Sequence, residues 1–236
     1  MDGVLADMDA ALARIAEQEF GVTGRSAAAP QAAAAAQAEP EPDAGQQAAE
    51  APPSYDTALL SSLTPRQQLR LWQRVRDTRN FWEGLEECEA GTVRRIQKLA
   101  HELRWDVLFV TQRPGTAGRT QQLQTQHWLR RHGFEYPAVY TTIGSRGAIA
   151  AALTLDAHID DRLDNSIDVA TQSKAWSILV WRDAESFDRI STGAARLGIA
   201  VVRTVGEALD RIEDAERAPA QAEQPSLFDR LKKAFT

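Results

Sequence analysis

Val107-Leu108-Phe109-Val110-Thr111 is a short apolar run closed by a hydroxyl. Four runs of similar character follow it, at Ala138–Thr142, Ala157–Asp160, Ser177–Trp181 and Ile199–Arg203. Helix-like segments separate them, near 119–132, 146–153, 164–172, 186–197 and 205–214. Strands alternating with helices of this length predict an α/β fold with a parallel, doubly wound sheet. Ligands of such sheets bind beyond the carboxyl ends of the strands, near the switch point in strand order. Thr111 and the pair Asp160-Asp161 both sit at strand ends on that face.

Working outward, residues 7–21 read as a helix, with Leu12, Ile15 and Phe20 among good helix formers and Gly21 placed to end it. Residues 26–53 are different material. Of these 28 residues 18 are Ala or Pro, and none is aromatic, β-branched or Leu. Such a segment buries too little apolar area to offset its ordering entropy, so it is expected to be a disordered insertion. Order resumes with Thr64-Pro65, an N-cap followed by Pro at the first helical position. Leu69, Leu71, Trp72, Val75, Phe81, Trp82 and Leu85 then supply apolar faces for one or two helices, and a further helix at about 91–103 leads into the strand region. The expected organisation is a core start over 1–25, the insertion over 26–53, a helical cap over 54–90, the core over 91–214 and a flexible tail over 215–236.

The chain has 236 residues and a formal net charge of -6, so no basic footprint points to duplex nucleic acid. Cys88 is the single cysteine, which rules out an internal disulfide and a cysteine-based zinc cluster. No stretch approaches the ~18–20 apolar residues of a membrane span, and no signal peptide is visible. A soluble, cytoplasmic protein is the expectation.

Taken singly, each candidate site residue has a plain reading. Asp2-Gly3 is a turn signal, Thr111 a β-former, Asp160-Asp161 a solvated loop. Together they hold what phosphoryl transfer needs: hard oxygen ligands for Mg²⁺, donors for charge on the phosphoryl oxygens, and a group to move a proton. Asp2, Thr111, Arg146 and Asp160-Asp161 offer these groups.

With these residues in view, the chain resembles the haloacid dehalogenase-like phosphohydrolases, and among them the 5'(3')-deoxyribonucleotidase-like branch. The resemblance rests on Asp-Gly-Val-Leu-Ala-Asp at 2–7, Val-Leu-Phe-Val-Thr-Gln-Arg-Pro at 107–114, Gly118-Arg119-Thr120, Gln124–Leu129, Arg146-Gly147 and Ile159-Asp160-Asp161-Arg162. It implies that Asp2 is the general acid/base and lends its backbone carbonyl to Mg²⁺. It also implies that Thr111 bonds the phosphoryl group, Asp160 ligates the metal, and Asp161 does so directly or through water. Arg113 is a candidate for substrate phosphate or orientation, with a surface cation as the plain alternative. The family usually has Lys where Arg146 stands; Arg keeps the charge but presents a planar fork.

The family's first motif runs Asp-x-Asp-Gly-Val, in which the first Asp is the nucleophile. Asp2 matches the second Asp and Met1 the x position. The strand that ends at the nucleophile lies mid-sheet in this family, between the strands ending at Thr111 and Asp160. Without it those two strands lose a ladder partner. The expectation is that Met1 is an internal methionine of an Asp-Met-Asp-Gly-Val motif. The alternatives are an inactive member of the family acting as a binding module, and an interaction protein.

Trp72, Phe81 and Trp82 could stack on a nucleobase, although helix packing is the plainer use. His127, His132 and His158 show no metal-ligand spacing, and His158 reads as strand packing. In the tail, Gln224-Pro225-Ser226-Leu227-Phe228 resembles the peptide by which bacterial proteins dock on the DNA sliding clamp. An amphipathic helix folding back on the domain is the alternative. The expected ligand is a small phosphorylated substrate.

Overall fold

The structure is a computed structural model describing residues 1–21 and 58–218. The insertion at 26–53 and the clamp-like peptide at Gln224–Phe228 lie outside the described residues. No described helix is long and apolar enough to cross a membrane.

Helix α1 spans Met8–Phe20. The Asp7 carboxylate accepts from the Ala10 N–H at 2.9 Å to start it, and Gly21, at φ 65°, ends it. Its buried residues, Met8, Ala11, Leu12 and Ala16, form one stripe. After the short α2 (Ala58–Ser62), α3 (Pro65–Asp77) opens with a full capping box. The Gln67 N–H donates to Thr64 Oγ1, and the Gln67 side chain accepts from the Thr64 N–H. Leu71, Trp72 and Val75 form the buried stripe of α3. Leu69 lies off that stripe and is 56% exposed, so it is not the core contact the sequence suggested. Phe81–Gly84 is a single 3₁₀ turn with Trp82 fully buried, and α4 (Thr92–Leu103) follows.

From there strands and helices alternate as the sequence predicts: β1 (Leu108–Thr111), α5 (Gln121–Arg131), β2 (Ala138–Thr141), α6 (Arg146–Ala152), β3 (Ala157–Asp160), α7 (Leu163–Gln172), β4 (Trp176–Val180), α8 (Phe187–Ala195), β5 (Ala200–Val202) and α9 (Val205–Arg217). Every strand pairing among them is parallel. Leu108 pairs with Ala138, His158 with Ser177, and Leu179 with Val201. β4 is buried on both faces. Ile178 and Val180 enter the main core with Leu12, Trp72, Trp128, Phe109 and Val139, while Leu179 and Trp181 pack with Ala194, Ile199 and Val201. Cover on both faces is what a parallel sheet requires.

The expectation of one continuous sheet needs correction. The strands form two sheets, a pair β1-β2 and a triplet β3-β4-β5. No described strand joins β1 to β3. Instead the turn at Met1–Ala6 reaches both of them at their carboxyl ends, through Asp2 on one side and Gly3 on the other. The fold is therefore α/β with short parallel strands in two sheets that share one hydrophobic core.

Candidate functional site

The site is built on the turn Met1–Ala6. The Met1 carbonyl accepts from the N–H groups of Leu5 (2.8 Å) and Ala6 (3.1 Å), and the Gly3 N–H donates to the Ala6 carbonyl at 3.0 Å. The chain then runs against 86–88: the Asp7 N–H donates to the Glu86 carbonyl and the Cys88 N–H to the Leu5 carbonyl, both at 2.8 Å. A short segment with every turn closed by backbone bonds holds Asp2 in a defined place.

Asp2 meets the end of β1. Thr111 Oγ1 donates to Asp2 Oδ2 at 3.3 Å. Arg113, two residues beyond the strand, clamps the same carboxylate. Its Nε lies 2.9 Å from Oδ2 and 3.1 Å from Oδ1, and its Nη2 bonds Oδ1. The pair is largely buried, with the Arg113 side chain 0% and the Asp2 side chain 6% exposed. Arg113 is thus neither a surface cation nor, as it stands, open to a substrate phosphate. Its remaining contacts are internal: Nη1 donates to Thr125 Oγ1 at 2.8 Å, and the guanidinium sits 4.9 Å from the centroid of the Trp82 ring.

Gly3 meets the end of β3. Its φ is +74°, and a Cβ there would overlap the Asp161 carboxyl, so only glycine lets the turn approach this closely. Asp160 accepts from the Arg162 N–H at 2.9 Å and from Asn165 Nδ2 at 3.1 Å. Asp161 is half-buried as a residue while its carboxyl is packed against the turn. Burial first, and then the charge of Asp160, push that carboxyl up to about 7. His158 lies on the same strand, with Nε2 3.6 Å from Asp160 Oδ2 and Nδ1 buried without a partner. Burial holds it below the usual imidazole range.

Arg146 opens α6, with Nη1 donating to the Gly144 carbonyl at 3.2 Å. Gly147 beside it fits tightly: a Cβ there would overlap the Asp168 carbonyl of α7. Asp168 in turn accepts from Ser145 Oγ (2.7 Å) and from the Gly147 N–H (2.8 Å). The Arg146-Gly147 pair therefore marks the packing of α6 on α7. After burial, the charge of Arg146 adds to what holds His158 below the usual imidazole range.

Asp160 and Asp161 are the residues that could hold Mg²⁺. They are adjacent hard-oxygen donors whose mutual repulsion a cation relieves, and Mg²⁺ is commonly held by one or two carboxylates with water completing the shell. The Asp2 side chain does not add a third, because Arg113 occupies it. Among the described residues no three His, Cys, Asp or Glu side chains converge as a metal-binding group. The backbone carbonyl of Asp2 is the part of that residue on which the metal reading draws.

Sequence reasoning missed Arg182, which follows β4. Its Nη1 donates to the Gly3 carbonyl at 2.5 Å and its Nη2 to Glu89 Oε1 at 2.8 Å. Glu89 also accepts from the N–H groups of Val205 and Gly206, which ties the start of α9 to the turn. The signal was present: Arg182 ends an apolar run on the face where Thr111 and Asp160 were noticed. A shallow cavity of about 470 Å³, lined by Leu123, His127, Arg130, Tyr136 and Pro137 among others, lies at the amino end of β2. It holds none of these residues. The chain matches no protein-family model, no curated protein and no solved structure.

Proposed function

We propose that the protein is a Mg²⁺-dependent phosphatase of the haloacid dehalogenase-like kind, acting on a small phosphomonoester, with nucleotides among the substrates to test first. The observation that carries this reading is the turn Met1–Ala6. It sets Asp2 against Thr111 at the end of β1 and Gly3 against Asp161 beyond the end of β3, at the carboxyl ends where parallel sheets hold ligands.

In this reading the nucleophilic carboxylate is the first Asp of the Asp-x-Asp-Gly-Val motif whose second Asp is Asp2. Its oxygen bonds to phosphorus as the ester P–O bond breaks, and Asp2 gives its proton to the departing oxygen. Water then adds to the phosphorus of the aspartyl phosphate as the bond from phosphorus to the aspartyl oxygen breaks; Asp2 takes a proton from that water, and inorganic phosphate leaves the restored carboxylate. Thr111 Oγ1 donates to a phosphoryl oxygen, and Arg146 stabilises the same charge from the start of α6. Asp160, Asp161 and the Asp2 carbonyl would hold Mg²⁺, which supplies charge neutralisation and orients the phosphoryl group.

The test is a screen of phosphomonoesters with Mg²⁺, using the native protein purified from its own cells. Turnover is expected, and Asp2→Asn should lower kcat by at least ~100-fold, the usual contribution of a proton-transfer group. Failure to turn over any phosphomonoester, with ligand binding retained, would favour a non-catalytic binding module.

A further inference from the structure

We infer that Arg113 is a positioning residue for Asp2, braced by Trp82, so that the helical segment ending in the 3₁₀ turn sets the orientation of the proposed acid/base. This rests on the reading of Asp2 given above. Three observations carry it. First, Arg113 grips both Asp2 oxygens from a fully buried position, and such a fork fixes the plane of a carboxylate where a point charge cannot. Second, the guanidinium is itself constrained by Thr125 of α5 and by the Trp82 ring. Third, Trp82 is pinned to the loop that carries Arg113. Its Nε1–H donates to the Pro114 carbonyl at 3.0 Å and its backbone N–H to Gln124 Oε1 at 3.1 Å. Gln124 in turn donates to Thr116 Oγ1 at 2.9 Å and to the Arg119 carbonyl at 2.6 Å. A shift of the 3₁₀ turn thus passes through one ring and one guanidinium to Asp2.

Two measurements test the assignment. In thermal unfolding, Asp2→Asn, Arg113→Met and the double variant are compared. A positioning fork predicts strongly non-additive losses, with the double variant close to either single one; additive losses would overturn it. In steady-state kinetics, Arg113→Lys keeps the charge and loses the fork. It should lower kcat at least tenfold and leave KM within twofold. Trp82→Phe should lower kcat by less, again with KM unchanged. A rise in KM at constant kcat would make Arg113 a substrate-binding group and overturn the inference. If the native protein hydrolyses nothing while the unfolding losses remain non-additive, the phosphatase reading fails. The pair is then structural, and the positioning role falls with it.

Discussion

At the scale of the residue, Asp161 is where stability and the proposed chemistry oppose each other. Its carboxyl is packed beside Gly3 and Asp160, and burial raises its proton affinity to about 7 from an ordinary 3.8. The folded chain therefore holds this proton more tightly than the unfolded one. The stability it contributes is fully present below pH 3.8 and is lost as pH rises through 7. In metal-free buffer Asp161→Asn should be more stable than the parent at pH 8, by on the order of 2 kcal/mol, with the gap closing toward pH 4. Chemical denaturation at both pH values reads this directly, and a gap independent of pH would show that the Asp161 carboxyl is not held this way. Gly3 illustrates what sequence can and cannot display at this scale. Asp2-Gly3 is visible as a turn signal, but the approach of Asp161 that makes glycine obligatory joins residues far apart in the chain. The same holds for Arg113, whose burial against Asp2, Thr125 and Trp82 has no local signature.

At the scale of the element, the signals that proved legible were local. Thr64-Pro65 announced α3, Gly21 closed α1, and the apolar runs located the five strands among the described residues to within a residue or so. α9 runs three residues past its expected end, to Arg217, while α4 begins about where expected, with Glu87 accepting from the N–H groups of Gly91 and Val93. Arg146-Gly147 was legible as a motif but only half understood, because the glycine serves the packing of α6 on α7. Gly147→Ala should force those helices apart at a cost of about 1–3 kcal/mol, the usual range for overpacking. Urea unfolding checks it, and a change within about 0.5 kcal/mol would mean the helices separate easily.

At the scale of the whole molecule, the α/β class and the parallel pairings followed from the alternation of runs, while the division into two sheets is a property of chain pairing that no run displays. That division has a functional side. β1 and β3 end beside each other through the turn Met1–Ala6, and Arg182 fastens this turn to β4 and, through Glu89, to α9. The candidate site is thus held by both sheets and by the loop 112–120, so its geometry depends on the assembled core more than on any one motif. This is also why the contacts of Asn165 and Arg182, one from α7 and one from the segment after β4, went unseen in the sequence. The measurement that tests the central claim most directly is kcat of the native protein on its best phosphomonoester, with Mg²⁺ and with excess chelator, for the parent and for Asp160→Asn. Metal-dependent turnover that falls on the order of a hundredfold in Asp160→Asn is the expected result, since a lost metal contact removes several kcal/mol of transition-state stabilisation. Equal turnover in both proteins, or turnover indifferent to the chelator, would contradict the account.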